Sequence, residues 1–391
     1  MSDNPAAARP GSLDGKTVYL HIGAPKTGTS YLQARLDANP DAVSGQGMLW
    51  SRPWSKQVHA AREVKALAPG DSLRPDGPWQ TLVEEARAWS GPTVLISMEW
   101  LTNAAPQQVE AAVASLLPAR VEIVCTARDV VRTLPAAWQE SMQNYRTWTW
   151  HEYVDAVTAP GEPAHPGAVE FWGQQDIARV ARTWTTQVPA DRFHVVTVPG
   201  RDGGSGLLWE RFCSVVGLDG AGFAEPRRSN PSLGVVSAAL MQRVNVVAHE
   251  RDVRRKDYHR LVKHTLSKGI LAERRKAEGA IAVPDEAWQR LAERSRVMVA
   301  ELEQLPVPVV GDLADLLPEP AGPGTDPQEV TEQQMLEAAV DGLVGLVLDS
   351  AARERRLQQK IEALGAGGGR WPDRLSTLWH KARARARRGV R

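Results

Sequence analysis

The side chains best placed to do chemistry sit in three short segments. The first is the run GAPKTGTS at 23–30, a loop bounded by glycines with Lys26 in its middle. A loop of this kind, running into a helix, turns backbone N–H groups and the positive helix end onto a phosphate. The common phosphate-loop spacing, G-x-x-x-x-G-K-[ST], places lysine directly after the second glycine. Here Gly23 and Gly28 keep the glycine spacing, but Thr29 fills the lysine slot and Lys26 lies inside the loop. A lysine there meets a bound anion from another side, nearer a bond being broken. The second segment ends at Glu99, whose carboxylate can accept a proton. The third begins at Arg128, whose planar fork suits a phosphate. A plain Gly/Pro turn, a helix-starting glutamate and a surface arginine are the structural alternatives for the three.

The elements that must position these residues follow from the apolar patterning. Residues 17–22 alternate and then run apolar, as a buried parallel strand does, and from Thr29 the spacing turns helical, with Tyr31, Leu32 and Leu36 on one side. Further strands are expected at 92–98, 121–126 and 192–198. Helices are expected at 106–117, around Trp138 to Tyr145, and at 174–187. Strands alternating with helices predict an α/β fold: a parallel sheet with helices on both faces, in three layers like the P-loop proteins. Ligands of such sheets bind at the carboxyl ends of the strands, where the loop, Glu99 and Arg128 all fall. Residues 50–90 read as short helical pieces carrying His59 and several tryptophans, part of an acceptor cleft. Beyond residue 205 the chain reads as mostly helical, including a basic helix from Arg251 to Lys276.

The domain organisation expected is a flexible leader at 1–15, the α/β domain at 16–317 and a Pro/Gly linker at 318–327. A helix follows at 328–364. In it Leu336, Val340, Leu343, Val347, Leu357, Ile361 and Leu364 keep coiled-coil spacing, broken at Ser350 and Glu354. A homodimer through 331–364 and packing back onto the domain are both open. A glycine hinge and a basic tail occupy 365–391.

With 391 residues, 42% of them hydrophobic, the chain can bury a substantial core. A net charge of +1 gives no reason to expect nucleic acid as a partner. Residues 370–391 hold eight Lys/Arg against one Asp, leaving −6 for the rest. There Trp371, Leu375, Leu378 and Trp379 form an apolar stripe beside Arg374, Lys381, Arg385 and Arg388, the pattern of a helix lying on an anionic membrane surface. A solubilising tail is the alternative. Only Cys125 and Cys213 are present, which suits a reduced compartment. No run approaches 18 apolar residues, and the N-terminus has no signal-like core. The location expected is cytoplasmic, peripheral at the inner membrane face through the tail. Histidines and cysteines show no metal-binding spacing.

The run HIGAPKTGTSYLQ at 21–33 resembles the 5′-phosphosulfate-binding loop of the sulfotransferases that use 3′-phosphoadenosine 5′-phosphosulfate (PAPS), written loosely P-K-[ST]-G-[ST]-[ST]. The resemblance implies that Pro25, Lys26, Thr27, Gly28, Thr29 and Ser30 hold the donor, with Lys26 at the oxygen bridging phosphate and sulfate. It implies a glutamate base at Glu99, since LISME at 95–99 is similar to the strand end where glycan sulfotransferases keep one. It places Arg128 on the 3′-phosphate. The family's partner serine, eight residues on, is Ala136 here, so Arg132, Thr133 or Ser141 would stand in. RRSNPSL at 227–233 looks like the late basic loop that closes over the nucleotide, drawing in Arg228, Asn230 and Ser232; a helix cap with surface arginines reads equally well. The likeness spans roughly 15–305 and points to soluble bacterial members. It implies sulfuryl transfer from PAPS to a hydroxyl of a glycan, glycolipid or small molecule, with PAP as product and no metal. No Mg²⁺-binding aspartate closes an apolar strand, as ATP chemistry normally needs. Two rival readings remain: a P-loop kinase, revealed by Mg²⁺ dependence, and a non-catalytic nucleotide- or membrane-binding protein.

Overall fold

The computed structural model describes residues 11–201, 203–226, 232–320 and 322–366. Residues 1–10 of the leader, Arg228, Asn230 and the tail at 370–391 lie outside the described residues. Residues up to Ala338 form one compact unit and those from Ala339 a second.

Six parallel strands form one sheet: β1 (Thr17–Gly23), β2 (Met48–Trp50), β3 (Thr93–Ser97), β4 (Arg120–Ala127), β5 (Phe193–Thr197) and β6 (Val309–Val310), in the order β2-β3-β1-β4-β5-β6. β1 lies inside the sheet, paired on both edges by β3 and β4. Val18, Leu20 and Ile22 pack into one helical layer with Trp79, Leu116 and Trp184. On the other face Leu95, Val124 and Val196 meet Leu32, Leu36, Trp209 and Phe212. Each fully buried aliphatic or Phe side chain contributes roughly 1.5–3 kcal/mol, so a sheet covered on both faces is a rigid platform. Cys125 and Cys213 are part of this packing, and burial pushes both thiols up to about 12, which leaves them unreactive near neutral pH.

The strand order reverses at β1. From β1 the chain first builds β2 and β3 on one side, then crosses to β4 and β5 on the other. The crevice between the carboxyl ends of β1 and β4 is therefore where a ligand has room. Ala24 N–H donates to the Thr126 carbonyl at 2.6 Å, closing the sheet just below that crevice.

β2 and β6 go beyond the sequence expectation, as three- and two-residue strands. The helix expected around Trp138 begins eight residues earlier, at Val130, and carries Pro135 in its interior. The basic segment 251–276 is broken rather than one helix. It holds a ten-residue π-helix, Tyr258–Ser267, followed by short turns.

Candidate active site

The loop after β1 owes its shape to three left-handed residues. Gly23, Lys26 and Gly28 have φ of 92°, 67° and 93°. Alternating handedness of this kind curls successive N–H groups toward one concave point, a nest for an anion. The following helix, Thr29–Ala38, turns its positive end the same way; the Tyr31 and Leu32 N–H groups already donate to the Gly28 carbonyl, at 2.9 and 3.1 Å, so the N–H groups of Thr29 and Ser30 are the ones at its open end. Thr27 and Thr29 are buried, and both hydroxyls donate to the Ala24 carbonyl, Thr29 at 3.2 Å. Thr27 also meets the Thr126 hydroxyl of β4. These side chains hold the loop shut, so its backbone is the part able to bind. Ser30 is exposed, and the Pro25 carbonyl is held by Gln175 at 3.0 Å.

A left-handed backbone at a non-glycine residue costs about 1–2 kcal/mol. At Lys26 it points the side chain into a cavity of about 230 Å³, where Nζ lies 3.1 Å from a Glu140 carboxylate oxygen. Glu140, from the helix Val130–Gln143, was not foreseen from the sequence. Burial works to raise its carboxyl, but Lys26, then Lys263 and Lys268, outweigh that and hold it below the usual range. Lys263 reaches across to Asn144 Oδ1 at 2.5 Å, and burial lowers both Lys263 and Lys268. Tyr145, stacked on Tyr258 at 4.0 Å between ring centres, Tyr153 and Phe171 give the cavity aromatic walls. Ser141, Asn144 and Arg146 add polar ones.

Glu99 opens the turn Glu99–Leu101 directly after β3. It packs against Gly23 so closely that a methyl group there would lie 2.7 Å from its Cβ. Its Oε2 is buried with no hydrogen-bond partner among the described residues. Burial pushes the carboxyl up and Glu140 adds to this, while Lys26 and Gln33 hold it back only in part. The two carboxylates near Lys26 thus differ: Glu140 is pulled down and Glu99 pushed up. Environments that separate two acids in this way are those that assign acid and base roles. His21 is buried between Ser97 at 2.7 Å and Thr126 at 3.3 Å, and burial lowers it to about 3, so it stays neutral. His59 lies elsewhere, in an open groove with Arg62 and Glu63.

Arg128 follows β4 and touches the loop, donating from Nη1 to the Lys26 carbonyl at 3.2 Å. Its Nε is buried without a partner among the described residues. Burial lowers the guanidinium to about 10, and Arg132, Arg201 and Arg275 push the same way against Asp129. Positive charge from Arg132, Arg201 and Arg275 is thus felt at Arg128, although Arg201 is itself paired with Glu319 at 3.3 Å. Asp129 is committed to capping its helix through the Val131 N–H at 2.7 Å. Arg132 donates to the Pro199 carbonyl at 3.1 Å. Thr133 is buried and bonded to the Asp129 carbonyl, and Ser141 lines the Lys26 cavity rather than the arginine cluster. Ser232 is half-buried at the start of the segment that resumes at 232. Arg201 and Arg275 were missed because no local pattern links them to Arg128. Among the described residues no cluster of three or more His, Cys, Asp or Glu can hold a metal ion, and no helix is long and apolar enough to cross a membrane.

No family model matches the chain. No curated protein matches it either. Among solved structures, the crystal structure of a sulfotransferase from Alicyclobacillus acidocaldarius is similar over 63% of this chain and 96% of that one, at 14% identity and a TM-score of 0.37. A likeness of that size says nothing of activity.

Proposed function

We propose that this chain transfers a sulfuryl group from PAPS to a hydroxyl-bearing acceptor. The observation that carries the reading is Lys26: a lysine inside the phosphate loop, on a strained backbone, with Nζ in a cavity 3.1 Å from a Glu140 carboxylate oxygen. A lysine that only anchored a terminal phosphate would follow the second glycine instead.

The donor supplies an activated sulfuryl group on a phosphate oxygen. The loop N–H groups and the Thr29–Ala38 helix end would hold its 5′-phosphate. Arg128 and Arg132, with Arg201 and Arg275 near them, would hold its 3′-phosphate, and the buried unpaired Nε of Arg128 fits that role. The acceptor oxygen bonds to sulfur as the S–O bond to phosphate breaks, and its proton passes to Glu99. Charge gathers on the departing phosphate oxygen, where the Lys26 ammonium answers it. A carboxylate raised above its ordinary range is a stronger base than a free one, which suits Glu99 to a hydroxyl proton. The aromatic and polar walls around Lys26 and Glu140 would receive the acceptor, whose class stays a glycan, a glycolipid or a small alcohol.

The test is direct. Candidate acceptors are incubated with isotope-labelled PAPS and read by mass spectrometry. A label-bearing sulfate ester made by the wild type and absent with Lys26→Ala supports the reading. Transfer of phosphate from ATP in the presence of Mg²⁺, with no sulfate ester, contradicts it.

A further inference from the structure

Fifteen large apolar side chains stand exposed among the described residues, and eight of them lie on the helix Glu332–Ala366. Scattered exposed apolar residues are ordinary, whereas a continuous run of them marks a contact surface. Leu343 is 64% exposed, Val347 60%, Leu357 60% and Ile361 49%. With Val340 these residues fall at alternating steps of three and four, the spacing that keeps one seam of a helix turned toward a partner helix. From 340 to 361 the seam is about 32 Å long at 1.5 Å per residue. Val344 and Leu348 broaden it, and Ser350 and Glu354 occupy its two polar positions.

We propose that this seam pairs with the same seam of a second copy of the chain, antiparallel. Two observations set the partner and the direction. The helix is electrically lopsided: in the stretch that such pairing overlaps, 341–349 carries Asp341 and Asp349 with no basic residue, a charge of −2. Residues 350–363 carry Arg353, Arg355, Arg356 and Lys360 against Glu354 and Glu362, a charge of +2. Antiparallel pairing lays each acidic half beside a basic half, so the helix is its own complement. Parallel pairing lays acidic on acidic. The seam itself agrees. Centred on Ala352, antiparallel pairing sets Leu343 opposite Ile361 of the second copy, Val347 opposite Leu357, and Ser350 opposite Glu354. Parallel pairing would bury Glu354 against Glu354, and two ionised carboxylates in an apolar seam repel strongly.

Sedimentation equilibrium of the full chain at micromolar concentration should give twice the 42.7 kDa of one chain. The double variant Leu343→Asp with Val347→Asp should sediment as a monomer that still melts cooperatively, since both residues are exposed within one chain. Cys125 and Cys213 are buried, so introduced cysteines report cleanly on direction. Leu343→Cys combined with Ile361→Cys should form disulfide-linked dimers under mild oxidation, and neither single variant should. A monomeric wild type, or a dimer untouched by the double aspartate variant, overturns the proposal. So does self-crosslinking of Leu343→Cys alone, which would mean a parallel pair. Flotation with phosphatidylserine vesicles that the aspartate variant abolishes would give the seam to a membrane instead, and equally overturns it.

Discussion

Gly23→Ala is the sharpest small perturbation of the site, because Gly23 opens the loop that carries Lys26 and packs directly against Glu99. Two penalties combine there. Gly23 has φ of 92°, and an L residue in that region costs about 1–2 kcal/mol. The new methyl would also lie 2.7 Å from Glu99 Cβ and 2.9 Å from Glu99 Cα, well short of ordinary contact at 3.4 Å. The second atom is backbone, so the neighbour cannot simply change rotamer. Overpacking of this sort costs roughly 1–3 kcal/mol more. The total is on the order of 2–5 kcal/mol. Gly15→Ala is the control: its φ is 72°, but nothing lies within 4 Å of the added carbon, so it carries the backbone cost alone. Urea unfolding should therefore show Gly23→Ala losing more than Gly15→Ala by roughly the overpacking cost of 1–3 kcal/mol. Turnover should separate them further. Relief of the clash moves Glu99 by a good fraction of an ångström relative to Lys26, and a misplacement near 1 Å can cost about 100-fold. Gly15→Ala should turn over at the wild-type rate. Equal stability losses in the two variants, with turnover intact in Gly23→Ala, would refute the packing of Glu99 on the loop as the source of its position.

Lys26→Ala should lower turnover on the order of 100- to 1,000-fold while weakening donor binding much less, since the charge it meets develops in the transition state; a variant with normal turnover and only weaker binding would reduce Lys26 to an anchor. Glu99→Gln keeps shape but cannot accept a proton, so turnover should fall roughly 100- to 10,000-fold with PAP affinity unchanged in calorimetry; turnover within about tenfold of wild type would move the base elsewhere. The acid limb of kcat/KM should lie above the ordinary carboxylate range, because Glu99 must be ionised and burial holds its pKa up. Glu140→Gln removes the like charge that helps raise Glu99 and leaves Lys26, which lowers it, so the limb should move to lower pH; a stationary limb or a shift to higher pH would show that another group titrates.

Much of this site could be read from the chain, and the unread part has a physical pattern. β1, β3, β4 and β5 announce themselves because both their faces are buried and their apolar runs are long enough to show. β2 at Met48–Trp50 and β6 at Val309–Val310 are too short for any period to register, and they exist because a neighbouring strand offers them hydrogen bonds. The Val130–Gln143 helix starts before its expected place. Pro135 argues against a helix locally, whereas the Asp129 cap and the burial of Val131, Leu134 and Trp138 favour it. Lys26 was legible because its oddity is local, one residue out of place in a familiar spacing. Glu140 was not, because its partner lies 114 residues away and only the fold joins them. Lys263, Lys268 and Arg275 were visible as a basic stretch with no address. The π-helix Tyr258–Ser267 carries Lys263 across to Asn144, just past the helix that holds Glu140, and the charges of Lys263 and Lys268 are felt at Glu140.

On the proposed function, the displaced loop lysine and the arginines near Arg128 receive a 3′-phosphorylated sulfuryl donor rather than a metal–nucleotide complex. Calorimetry of the full chain in EDTA, titrated in parallel with PAP and ATP, tests it most directly. A sulfuryl-donor site should give a saturable PAP isotherm that Arg128→Ala weakens, with ATP binding far weaker and unchanged when Mg²⁺ replaces EDTA. Tight ATP binding that requires Mg²⁺, with no heat from PAP, would contradict it.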